Sequence, residues 1–223
     1  MKTLYPYGVF TRLSKVAALV IAGAGAASAE PVDLLAFGDS LTQGYGLVDG
    51  EGFVPQLQAW LRERGHDVTI VNGGVSGDTT SGGLSRVDWS LTPEIDAMIL
   101  ALGGNDVLRG LPPELTRSNL DGILEAAEAR GVEVLLVGLV APGNYGPDFA
   151  ASFDAIYPDL SEKHHTLFYP DFFAALKAEG TSPEAMARFM QGDGLHPSAE
   201  GVTRIVDGIG PLVEELLERA DAE

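Results

Sequence analysis

Short apolar runs and amphipathic stretches alternate along this chain from residue 32 to its end. Residues 32–37 form a first apolar run of strand length, and 68–71, 97–102, 132–140 and 166–169 follow at intervals. Runs this short, bounded by turn residues, predict buried strands. The run at 132–140 is apolar without alternation, which predicts burial on both faces. Between the runs the period changes. Phe53, Leu57, Trp60 and Leu61 recur at helical spacing, and Gly65 closes the pattern, as a glycine just past a helix C-terminus does. The same reasoning predicts helices over 53–64, 79–89, 115–130, 149–164 and 199–219. Strand and helix alternating throughout imply an α/β fold, a mainly parallel sheet covered on both faces. No repeat, low-complexity tract or linker interrupts 30–223, which reads as one domain. In an open α/β sheet, ligands bind beyond the carboxyl ends of the strands. Chemistry is therefore expected just after each apolar run.

Residues 1–29 stand apart from this pattern. Lys2, Arg12 and Lys15 make a basic start, 16–25 is a short apolar run, and Ala27-Ser28-Ala29 is a small-residue site. That order predicts an export signal cleaved before Glu30, placing the protein in the periplasm or outside the cell. The apolar run is too short to span a bilayer comfortably, so no stable membrane anchor is expected. Removing 29 of the 223 residues leaves 194, enough for one domain with a sizeable core. The segment carries three basic residues and no acidic one, so its loss moves the net charge from −18 to −21. Such a chain argues against nucleic acid or anionic membrane surfaces as primary partners. With no cysteine it has neither a disulfide framework nor a thiolate metal site. A monomer is the default.

Gly38-Asp39-Ser40-Leu41 follows the first run, Gly77 the second, and Gly103-Gly104-Asn105-Asp106 the third. All three segments thus fall on one rim of the sheet. Asp193-Gly194-Leu195-His196-Pro197 precedes the last helix. Taken singly, Ser40 reads as a helix cap, His196 as a turn residue and Gly-Gly-Asn-Asp as a turn. Together they supply the parts of a serine hydrolase. A serine hydroxyl needs a base within reach and a third group to orient that base. His196 is the candidate base, and Asp193, three residues earlier, can fold back onto one ring nitrogen. The Ser40 and Gly77 backbone N–H groups and the Asn105 side-chain amide are candidate donors to an oxyanion. No metal or organic cofactor is called for. Other motifs fall away. Gly73-Gly74-Val75-Ser76-Gly77 lacks the full dinucleotide pattern, and no Gly-x-Ser-x-Gly elbow surrounds Ser40, which argues against the α/β-hydrolase fold. His164-His165 reads as a helix end and His66 as a solvated loop residue.

With these blocks in order, the chain resembles the SGNH hydrolases, also called the GDSL family. It is most similar to the exported thioesterase I / lysophospholipase L1 / arylesterase branch. That closer likeness is carried by Val71-Asn72, Ser76-Gly77-Asp78-Thr79, Leu102-Gly103-Gly104-Asn105-Asp106, Leu108-Arg109-Gly110, Pro142-Gly143-Asn144-Tyr145-Gly146 and Ala155-Ile156-Tyr157-Pro158. The resemblance implies a flavodoxin-like three-layer α/β/α sandwich with a five-stranded parallel sheet. It implies Ser40 as nucleophile, Asp193 and His196 as its partners, and Gly77 and Asn105 as oxyanion donors beside the Ser40 amide. It also implies substrate-binding roles for the loop Val107, Leu108, Arg109, Gly110, Leu111 and Pro112, and for Asn144 and Tyr145. Gly73-Gly74-Val75 and Pro142-Gly143 depart from the family pattern, which bears on loop stiffness and chain-length preference. The expected activity is hydrolysis of carboxylic esters and thioesters: aryl esters, lysophospholipids, or short to medium acyl thioesters. A carbohydrate O-acetyl deacetylase on the same fold, or a non-catalytic binding module, stands as the alternative.

Overall fold

A computed structural model describes residues 1–3 and 31–221. The export signal expected at 1–29 therefore lies almost wholly outside the described residues. The five apolar runs form a single parallel sheet of five strands in the order β2-β1-β3-β4-β5. The strands are β1 (Val32–Gly38), β2 (Val68–Gly74), β3 (Ala97–Ala101), β4 (Glu133–Val137) and β5 (Leu167–Tyr169). The order reverses between β1 and β3, so the rim carries a switch point there, as in flavodoxin-like sheets. Leu34, Leu35, Ala36 and Phe37 of β1 and the whole of β3 are buried, because helices cover both faces.

The helices are α1 (Ser40–Gln43), α2 (Phe53–Glu63), α3 (Thr80–Ser90), α4 (Gly104–Leu108), α5 (Pro113–Glu128), α6 (Pro147–Asp154), α7 (Ile156–His164), α8 (Ala174–Ala178), α9 (Pro183–Ala187) and α10 (Ala199–Ala220). Helices α2, α8 and α10 pack on one face of the sheet, and α3, α5 and α7 on the other. The result is the three-layer α/β/α sandwich expected. Local chemistry sets the helix starts. Thr79 caps α3 by accepting from the Gly82 N–H, and Ser198 caps α10 by accepting from the Gly201 N–H at 3.2 Å.

The structure departs from the sequence reading at three elements. The helix expected over 149–164 is two helices, α6 and α7, that meet at Ala155. Pro158 explains the break, since its ring would clash with the Asp154 carbonyl in a continuous helix. The strand expected to run to Val140 stops at Val137. Its neighbours end there too, with Leu100 paired to Leu136 and Val137 to Tyr169. Gly138 still donates to the Tyr169 carbonyl at 2.8 Å and accepts from the Phe172 N–H at 2.9 Å, and residues 139–140 continue as a loop. β2 in turn runs on to Gly74, where Gly73 and Gly74 pair with Phe37 and Gly38. His66 is not a free loop residue either: its Nε2 lies 2.9 Å from Glu214 Oε1 on α10. His164 ends α7 and His165 caps it in the left-handed region at φ 55°, so that pair is a helix end, as read.

Candidate active site

β1 delivers the first block. Asp39 caps α1 by accepting the Leu41 N–H at 3.0 Å, and Ser40 is the first residue of that helix. Its N–H, at the first turn, has no intrahelical acceptor. β3 delivers the third block through a sharp turn at Gly103, whose φ is +119°. A Cβ there would stand 2.3 Å from Tyr157 Oη. Tyr157 is buried and donates to the Leu102 carbonyl at 3.0 Å. Its burial, and next the Asp106, Asp39 and Asp154 charges, hold the phenol well above its usual pKa and hence protonated. Gly103→Ala should therefore both strain the backbone and displace Tyr157. We expect a loss of roughly 2–4 kcal/mol, seen as a melting temperature lower by about 5–15 °C. An unchanged melt would show that the turn relaxes freely.

Asp106 closes the same turn from below. Its side chain is fully buried and accepts from the Thr80 N–H at 2.9 Å, the Thr80 hydroxyl at 2.5 Å and the Thr116 hydroxyl at 3.4 Å. It thus ties the Asn105 loop to the starts of α3 and α5. Arg86 does the same for the other loops. It donates to the Gly38 and Gly73 carbonyls, each at 2.9 Å, and pairs with Asp78 at 2.8 Å. Asp78 directly follows Gly77, which sits in a left-handed turn at φ +79°. The Gly77 carbonyl accepts from Arg109 Nη2 at 2.8 Å.

The last block folds onto Ser40. His196 Nε2 lies 2.8 Å from Ser40 Oγ, and His196 Nδ1 lies 2.7 Å from Asp193 Oδ2. Asp193 Oδ1 accepts the Leu195 and His196 N–H groups at 2.9 and 3.0 Å. The bond to His196, followed by these two backbone N–H groups, lowers the Asp193 pKa to about 2. The carboxylate thus stays ionised at any working pH. Neither Tyr45 nor Gln191 figured in the sequence reading. The Tyr45 ring lies 4.7 Å from the imidazole, centroid to centroid. Gln191 donates to the Tyr45 carbonyl at 2.7 Å and the Pro197 carbonyl at 3.0 Å, while its own N–H donates to the His196 carbonyl at 2.8 Å. It clamps the histidine loop to the loop after α1. No local pattern marks a glutamine for this, because its partners lie across the fold.

Ser40, Gly77, Asn105 and His196 open into one cavity of about 360 Å³. Its walls are chiefly apolar, with Leu41, Val107, Leu108, Leu139, Val140 and Phe173 among the lining residues. Leu139 and Val140 are the residues expected in β4, so their apolar character serves the cavity wall rather than the sheet. Of the expected substrate loop, Val107 and Leu108 line the cavity. Arg109 holds Gly77, and Gly110 packs under Tyr145, whose hydroxyl donates to the Leu108 carbonyl at 3.1 Å. Leu111, Pro112 and Asn144 lie outside the lining. The loop after β5 supplies Asp171 and Phe173, and α8 supplies Lys177, where an Asp171–Lys177 ion pair adjoins the apolar walls. Among the described residues no cluster of three His, Asp or Glu side chains is arranged to hold a metal. No described helix is long and apolar enough to cross a membrane.

Residues 36–204 match the GDSL-like Lipase/Acylhydrolase family. The chain belongs to that family. As a GDSL hydrolase it is similar to Esterase TesA of Pseudomonas aeruginosa, 36% identical over 185 residues, covering 82% of this chain and 89% of the relative. An arylesterase of Vibrio mimicus is 38% identical over 195 residues, covering 86% of this chain and 93% of the relative. The crystal structure of AlinE4, an SGNH-hydrolase family esterase, has a TM-score of 0.67 at 42% identity, covering 84% of this chain and 97% of that one. The protein is accordingly an enzyme, a GDSL hydrolase of ester bonds, as its sequence blocks led us to expect.

Proposed function

We propose that this GDSL hydrolase cleaves carboxylic esters and thioesters of short to medium acyl chains through an acyl-Ser40 intermediate. The observation that carries the mechanism is the His196 ring, bonded through one nitrogen to Ser40 and through the other to Asp193. Ser40 Oγ attacks the carbonyl carbon while its proton passes to His196 Nε2. The oxyanion is received by the Ser40 and Gly77 N–H groups and the Asn105 amide. His196 returns the proton to the leaving alcohol or thiol as the C–O or C–S bond breaks. Water then gives a proton to His196 and attacks the acyl carbonyl. Ser40 regains its hydrogen as the acid departs. Asp193 keeps the Nδ1–H tautomer and stabilises the imidazolium. Each step is completed by these groups and water.

The cavity supports the substrate class. Apolar walls suit a hydrocarbon chain or an aryl group, and about 360 Å³ matches a small-molecule site. The acidic charge of the chain supports small neutral or lipid-like substrates over nucleic acid. The basic start, short apolar run and Ala27-Ser28-Ala29 support export with a mature start at Glu30. Hydrolysis of p-nitrophenyl esters from acetyl to palmitoyl tests the reading. Activity should rise from acetyl and peak between butyryl and octanoyl, since each buried methylene adds about 0.8 kcal/mol until the cavity is filled. Activity confined to acetyl would replace this reading with a deacetylase, and no activity on any chain length, with no labelling of Ser40 by a fluorophosphonate, would replace it with a binding module.

A further inference from the structure

The mechanism above leaves one buried charge beside the nucleophile without a task. Asp39 is 2% exposed. One of its oxygens, Oδ1, makes the ordinary cap to the Leu41 N–H, which a neutral serine or asparagine serves as well. The other does more. Oδ2 accepts from Asn105 Nδ2 at 3.3 Å, a contact between blocks 66 residues apart. Burial of a carboxylate is costly, and it raises the Asp39 pKa to about 6 against the lowering effect of these two bonds. Gly104 makes room for the arrangement, since a Cβ there would come within 3.2 Å of Asp39 Oδ2.

An asparagine amide has a donor end and an acceptor end, exchanged by a half-turn of the side chain. Asn105 is half-buried, and Asp39 is its one side-chain partner among the described residues. An ionised carboxylate only accepts, so it selects the rotamer that turns the NH₂ toward it. The second N–H of the same nitrogen is then left for the cavity that both residues line. With Asp39 absent, the carbonyl end of Asn105 could face a developing oxyanion and repel it.

We propose that Asp39 is a positioning residue, which acts through Asn105 by fixing the donor end of its amide toward the oxyanion. The proposal rests on the reading of Asn105 as an oxyanion donor. The test is a double-mutant cycle on p-nitrophenyl butyrate with kcat and KM measured separately. Asn105→Ala should lower kcat by about 10²- to 10³-fold. Asp39→Asn keeps the size and the cap but presents NH₂ against NH₂, and it should lower kcat about tenfold or more with KM within about twofold. In the Asn105→Ala background the same substitution should cost less than about threefold, because there is no amide left to orient. Equal losses in both backgrounds, or an unchanged kcat in Asp39→Asn alone, would overturn the proposal while leaving the mechanism standing. An unchanged kcat in Asn105→Ala would instead remove the oxyanion role, and this inference with it. Should Asp39→Asn fold poorly, Gly104→Ala crowds the same carboxylate from the other side and should show the same coupling; additivity there counts equally against the idea.

Discussion

Ser40→Ala is expected to lower kcat by about 10⁶-fold and to leave the fold as it is. The two halves of that expectation have different sources. The chemical half follows from the partner of His196 Nε2, which among the described residues is Ser40 Oγ at 2.8 Å. Without Oγ the ring has nothing to deprotonate but water, and no covalent intermediate can form. The remaining donors and the apolar cavity still bind substrate, so activity should settle near 10³-fold above the uncatalysed rate, with KM little changed. The structural half follows from placement. Ser40 is partly exposed at the rim and its hydroxyl has His196 as its protein partner. A loss within about 0.5 kcal/mol is typical of such positions. For a domain of this size that moves the melting temperature by no more than a couple of degrees. Initial rates on p-nitrophenyl butyrate and a thermal melt of the same preparation read both halves. Retention of even one hundredth of parental kcat would strip Ser40 of the nucleophile's role.

The blocks that carry this chemistry were legible because strand ends are legible. An apolar run followed by Gly-Asp-Ser or Gly-Gly-Asn-Asp announces where the chain leaves the sheet, and parallel strands all leave on one rim. The reversal of order between β1 and β3 then puts Ser40 and Asn105 beside each other, a consequence of topology rather than of local sequence. Asp193 and His196 were legible for the opposite reason: three residues apart in a tight turn, they find each other without help from the fold. What escaped was of two kinds. Leu139 and Val140 look like strand residues because a cavity wall and a sheet core ask for the same side chains. Tyr45, Gln191, Phe173 and Lys177 come from short helices and loops that have no period, and their partners are set by packing across elements. Pro158 was in plain view, but the apolar period on either side of it masked its effect on the helix.

Asp193→Asn should cost about 10⁴-fold in kcat, the size of loss that a wrongly protonated imidazole causes in serine hydrolases. The geometry shows why an amide of the same shape fails. Asp193 makes three bonds as an acceptor: Oδ1 takes the Leu195 and His196 N–H groups, and Oδ2 faces His196 Nδ1 at 2.7 Å. An asparagine has one oxygen for those tasks. Two backbone donors outweigh one ring nitrogen, so the oxygen should stay with Leu195 and His196 and the NH₂ should turn to Nδ1. That nitrogen must then present its lone pair, which forces the ring proton onto Nε2. An Nε2–H donates to Ser40 Oγ instead of accepting from it, and the base is lost while every heavy atom stays in place. Asp193 is partly exposed, with 37% of its side chain open to solvent, so the substitution should hardly change the melt. The wild-type carboxylate, with its pKa near 2, is charged throughout the range where the enzyme is assayed. By linkage its stabilising contribution is complete above the ordinary carboxylate pKa of 3.8 and is lost as the pH falls from there through about 2. The two roles a carboxylate could play separate cleanly in Asp193→Ala. If Asp193 only held the loop, alanine would lower stability and asparagine would leave kcat near parental. If it sets the tautomer, asparagine is no better than alanine in kcat although it melts like the parent.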